Sequence, residues 1–134
     1  MLLRSAIPGL ALAFVAGGVG NGVTAMAQEI KRTELSRAPL SGDDTREIVM
    51  QLVEFPPGST SPRHFHNGEE AFYVIEGGTV QVPGTEPKDR LVGERGINQR
   101  GVPHAGYTVA GDKTIKVLSV YVVDKGKQLQ EPTP

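Results

Sequence analysis

The stretch GSTSPRHFHNGEEAFYVIEGG, Gly58 to Gly78, carries two of the chain's three histidines one residue apart, with a glutamate pair just behind them. Its second half, AFYVIE, is aromatic and β-branched and stops at Gly77-Gly78, the composition of a strand ended by a turn. Side chains alternate along a strand, so His64 and His66 point to one side. If the alternation stays in phase, Glu70, Phe72 and Val74 point the same way, while Glu69, Tyr73 and Ile75 point the other. Two imidazoles and a carboxylate aimed at one volume, with no sulfur among them, suit one divalent transition metal: Fe, Mn, Ni, Cu or Zn. His104, in GVPHAGYTV at the start of another expected strand, is the remaining candidate ligand. An H-x-H pair in a polar loop equally reads as two surface histidines, and the pair alone does not separate the two readings.

Outward from this stretch the chain stays β-type, with no convincing amphipathic helix after residue 28. Thr45 to Phe55, TREIVMQLVEF, puts Ile48, Met50 and Leu52 on one face and Val49, Val53 and Phe55 on the other. That predicts a strand covered on both sides, with Met50 a candidate pocket-lining residue beside Phe72 and Val74. TVQV, RLV, INQ and HAGYTV are further short strands, separated by turn sequences such as PGTEPKD and AGDK. TIKVLSVYVV is the longest late strand, with Ile115, Val117, Ser119, Tyr121 and Val123 on one face. The tail DKGKQLQEPTP reads as a loosely held end. Short strands punctuated by Gly and Pro predict an all-β, antiparallel barrel or sandwich.

Composition narrows the function classes. A chain of 134 residues with 38% hydrophobic and 22% charged residues fits one domain. A net charge of −1 with no basic run gives no nucleic-acid footprint. The absence of cysteine removes disulfides, thiolate chemistry and sulfur-ligated metals together. Residues 1–27 have one early positive charge, Arg4, an apolar run and an Ala25-Met26-Ala27 end, the pattern of a signal peptide. A membrane anchor is the other reading, but Pro8 and several glycines break the run. The expectation is cleavage after Ala27 and one domain over residues 28–134, with a core at about 45–124. The product would be periplasmic or secreted, with no membrane attachment after cleavage.

Gly58, five residues, His64-Phe65-His66, three residues, Glu70, six residues and Gly77 together resemble the first motif of the cupin family. A second motif resembles Gly93, five residues, Gln99-Arg100-Gly101, two residues, His104 and then Thr108. The family usually has Pro at Gln99 and Asn at Thr108, so this half departs at two positions, neither a ligand in the family. The resemblance covers about Met50 to Val123. It implies a jelly-roll β-barrel with one metal in its mouth, held by His64, His66, Glu70 and His104, with coordination positions left open.

Two function classes follow. The first is a metal-dependent enzyme, oxygenase-type by likeness to small cupins, acting on a small organic molecule, with Glu70 as a ligand that doubles as the catalytic base. Isomerase and lyase chemistry also occur in this family. Its sulfonium-cleaving lyases carry tyrosine two residues after the metal glutamate, where this chain has Phe72. The second class is a periplasmic binder of a small molecule or metal without turnover. Arg63 and Arg100 neighbour the ligand segments and read as exposed rather than as carboxylate clamps. Tyr73, Ile75 and Tyr107 read as facing another sheet or a second subunit, and the late strand, apolar on both faces, permits a homodimer.

Overall fold

The computed structural model describes residues 28–133, so the expected signal peptide lies outside the described residues. Eleven strands and no helix make up the described chain. They are β1 (Lys31–Leu40), β2 (Asp43–Phe55), β3 (Thr60–Ser61), β4 (His64–Phe65), β5 (Gly68–Glu76), β6 (Gly78–Gln81), β7 (Lys88–Arg90), β8 (Arg95–Asn98), β9 (Tyr107–Val109), β10 (Ile115–Asp124) and β11 (Glu131–Pro132). A five-stranded sheet in the order β1-β2-β10-β5-β8 stands with a four-stranded sheet, β3-β9-β6-β7, and a small β11-β4 pair. Every pairing is antiparallel. This is an antiparallel all-β barrel, as the strand spacing predicted, of the jelly-roll type that the cupin resemblance implied.

The period of two does the sorting. On β10, Ile115, Val117, Ser119, Tyr121 and Val123 are all buried, and the residues between them are half-buried. On β2, Val49, Val53 and Phe55 face inward. Met50 corrects the sequence reading: it is 36% exposed on the outer face and lines neither cavity beside the histidines. One face of β2 packs on the barrel interior while the other meets solvent, so a strand apolar on both sides is not covered on both. Tyr73 and Ile75 are also on the outer face, exposed. Val74 does point inward, but it is fully buried in the core cluster of Val53, Phe55, Val80, Val109, Ile115 and Val117 rather than lining the cavity.

Two elements escaped the sequence. β1 is polar nearly throughout and pairs along β2 as an edge strand, so it carries no apolar alternation to read. The tail is not loose: β11 pairs with β4, beside the first histidine. Leu129 packs against the second apolar cluster, Val49, Tyr121 and Val123. The two clusters meet the inner face of β10 on either side of Ser119, whose hydroxyl is turned to Glu70.

Candidate metal centre

His64 lies on β4, His66 just beyond it and Glu70 on β5, and all three are buried. The phase expected between them holds because His64, His66, Gly68 and Glu70 form one unbroken inward series. Glycine is required at position 68, since a Cβ there would stand 2.0 Å from the Val122 carbonyl oxygen on β10. His104 arrives from the far motif through a two-way backbone bridge with His64, at 3.1 and 2.8 Å. Ala105 follows it with φ at 62°, a left-handed conformation uncommon outside glycine, at the edge of the cavity. The three rings gather with centroids 4.5 to 4.9 Å apart. His64, His66 and His104 offer ligand atoms that all lie within 4.8 Å of one another.

Protonation follows from the partners. His64 Nδ1 is 2.8 Å from the Pro62 carbonyl, His66 Nδ1 2.5 Å from that of Leu129, and His104 Nδ1 3.0 Å from that of Val102. A carbonyl only accepts, so each Nδ1 carries the proton and each Nε2 of a neutral ring presents a lone pair. Yet His66 Nε2 lies 3.0 Å from His104 Nε2 and 3.0 Å from Glu70 Oε2, and His104 Nε2 is 3.4 Å from the same oxygen. Lone pairs at that distance repel unless a cation, a proton or a metal ion, sits among them. Nitrogens each about 2.1 Å from one ion lie within about 4 Å of each other, so the spacing fits a bound transition metal. The donor set, three neutral imidazoles with a carboxylate beside two of them, has the right chemistry for it.

The pKa shifts have the same origin. Burial alone would raise Glu70, but hydrogen bonds from His104, His66, Asn98 and Ser119 outweigh it and hold the carboxyl well below its usual range. Ser119 Oγ donates to Oε1 at 2.7 Å and Asn98 Nδ2 to Oε2 at 2.7 Å. Burial pushes His64 down to about 4, keeping it neutral at ordinary pH. Burial would also lower His104, but its contacts with Glu70 and the Val102 carbonyl reverse the sign.

A cavity of about 240 Å³ opens onto His64, His104 and Glu70, with His66 behind them. Phe72 lines it, as expected from its parity, and so does Tyr107, which the sequence reading had turned away from the site. That error came from carrying strand phase across the left-handed backbone at Ala105 and Gly106. A larger cavity of about 710 Å³ adjoins the first; Arg32, His64, Tyr121 and Gln130 border both. The smaller one carries the chemistry, because Glu70, Asn98 and His104 face it alone. Sequence reasoning missed Asn98, Ser119 and the Leu129 carbonyl. An inward serine in an otherwise apolar strand was the one legible signal. Arg100 is an exposed partner of Asp124, Arg63 is exposed, and Glu69 is exposed on the outer face.

The sequence profile of the cupin domain matches residues 51–121. The chain belongs to the cupin family. No curated protein sequence matches this cupin. Among solved structures, a cupin domain from Bordetella pertussis Tohama I is 17% identical, with a TM-score of 0.53 over 72% of this chain and 96% of that one. The polyketide cyclase RemF from Streptomyces resistomycificus is 25% identical, with a TM-score of 0.56 over 81% of this chain and 75% of the cyclase. The DMSP lyase DddQ from Ruegeria pomeroyi DSS-3 is 22% identical, with a TM-score of 0.51, and this cupin covers 44% of it from 68% of its own length. The first and third likenesses are of fold alone.

Proposed function

We propose that this cupin is an exported mononuclear metalloenzyme of oxygenase type, with His64, His66, His104 and Glu70 holding one divalent transition metal. One observation carries the reading: three imidazoles and a carboxylate converge on one point at the wall of a cavity. When bound, the metal would supply Lewis-acid or redox chemistry. The protein's own groups hold the ligands still and bound a small space with Phe72 and Tyr107. Glu70 is better suited to anchoring than to proton abstraction. Its carboxylate is fixed by donors from Ser119 and Asn98, one on each oxygen. The likeness to RemF, an enzyme by name, supports turnover over storage.

Elemental analysis of the mature protein, purified without chelator or affinity nickel, tests the centre. About one transition metal per chain is expected, lost in a His64→Ala/His104→Ala variant. Iron- or copper-loaded protein is then expected to consume oxygen with a member of a catechol, flavonol and diketone panel. Silence across the panel removes the oxygenase reading. Export is read by amino-terminal sequencing of the cell-envelope fraction, with Gln28 expected first.

A further inference from the structure

Two guanidinium groups line the cavity that faces the histidines, Arg32 and Arg90. Arg90 Nε is buried with no hydrogen-bond partner among the described residues. Glu94 Oε1 lies 3.1 Å from it, close enough for an ion pair but out of line with the N–H. The guanidinium carbon stands 5.4 Å above the Phe72 ring. Phe72 is itself seated against Gly96, where an added Cβ would come 3.0 Å from the ring. Arg32 donates to Gln130 Oε1 at 3.0 Å, a neutral partner, and makes no ion pair among the described residues. Both guanidiniums act on the Tyr107 hydroxyl, whose pKa burial pushes up and they pull back.

The cavity carries one positive charge without an ion-pair partner among the described residues, Arg32, and a second, Arg90, that Glu94 offsets in part. Its carboxylate, Glu70, is already engaged by Ser119, Asn98 and His66. Arg90 Nε, out of line with Glu94, leaves the guanidinium incompletely hydrogen-bonded, so an anion that completes its bonding is favoured there. A planar fork matches a carboxylate in shape as well as charge. Much of the remaining lining is apolar: Val53, Phe55, Phe72, Val117 and the Tyr107 ring. The volume, about 240 Å³, equals about eight waters at ~30 Å³ each and lies below the ~300–1,000 Å³ of pockets for drug-sized ligands.

We propose that the cavity selects a small organic carboxylate, its flat apolar body against Phe72 and Tyr107 and its carboxylate on Arg90, with Arg32 adding charge at the border of the outer cavity. Arg90 is then the specificity-determining residue. The inference deepens the metal-centre reading and shares its site, but the anion contact belongs to the protein and not to the ion.

Calorimetric titration of the full chain with benzoate and its neutral analogue benzamide tests this, in metal-loaded and chelator-stripped protein, with metal content measured on each sample. Benzoate is expected to bind about tenfold or more tightly than benzamide, a charged hydrogen bond being worth ~1.5–3 kcal/mol. R90Q is expected to erase that preference and R90K to keep part of it, since lysine restores the charge without the fork. Equal affinity for the two probes, no binding of either, or a preference that survives in correctly folded R90Q overturns the proposal. A preference present only in loaded protein and indifferent to R90Q also overturns it, by placing the carboxylate on the metal. An Arg90-dependent preference in protein that loads no metal supports this inference and sinks the metalloenzyme reading instead.

Discussion

Removing residues 128–134 tests whether the tail belongs to the metal centre. The tail carries the Leu129 carbonyl that accepts His66 Nδ1–H at 2.5 Å and so fixes which nitrogen of that ring is free. It also receives Asn67 Nδ2 on the Gln128 carbonyl at 3.2 Å and on Glu131 Oε1 at 3.0 Å, and Thr133 Oγ1 donates to the Arg63 carbonyl at 3.1 Å. Each such bond contributes about 0.5–1.5 kcal/mol net, with the exposed ones at the low end. Half-burial of Leu129 adds about 1 kcal/mol. Ordering entropy recovered on deletion offsets part of this, leaving a loss of about 2–3 kcal/mol in denaturant unfolding. The metal effect is the sharper one. Loss of an imidazole's outer partner typically costs about 10–100-fold in affinity, read by competition with a chromophoric chelator. Leu129→Ala separates the two contributions, because it keeps the carbonyl: it should lose about 1 kcal/mol of stability and less than about threefold in affinity. A truncated protein that holds its metal as tightly as the full chain would refute the argument that the tail orients His66.

Three further outcomes follow from single contacts. Ser119→Ala strips Glu70 Oε1 of its 2.7 Å donor inside the barrel and should cost about 1.5–3 kcal/mol in chemical denaturation; a cost under about 0.5 kcal/mol would mean that the bond is replaced by water. Gly68→Ala drives a Cβ to 2.0 Å from the Val122 oxygen and 2.6 Å from Val123 Cα, both backbone atoms, so a loss above about 3 kcal/mol is expected with weakened metal binding. Gly42→Ala, at φ +83° with nothing within 4 Å, is the control and should cost only about 1–2 kcal/mol. Asp43 is held down to about 2, first by the Thr45 hydroxyl and next by Arg46. Its folded pKa lies below its unfolded one, so its contribution is complete above about pH 4 and disappears as pH falls through about 2. Denaturation midpoints of Asp43→Asn should fall less steeply than wild type across that window, and superimposable profiles would count against the turn.

The sequence alone determined the fold class and the convergence of His64, His66 and Glu70, while His104 joined them only through the family resemblance. Both rest on local rules: alternation with period two puts His64, His66 and Glu70 on one side, and glycine-rich turns cut the chain into strands of barrel length. The same rule grouped the residues of β10 that share a face, without saying which face is buried. Only the tertiary structure decided which of two apolar faces goes inside. Alternation is symmetric, so it proposed Met50 for the pocket when the sheet had turned Met50 to solvent. It also could not carry phase through the left-handed backbone after His104, and so sent Tyr107 the wrong way. β1 and the tail were invisible because polar edge strands have no apolar period, only partners far along the chain. The groups that fix protonation came from the same distance: the Leu129 carbonyl lies 63 residues from His66, and Ser119 lies 49 from Glu70. Such contacts depend on which strands lie side by side, and that is settled by the packing of the whole barrel.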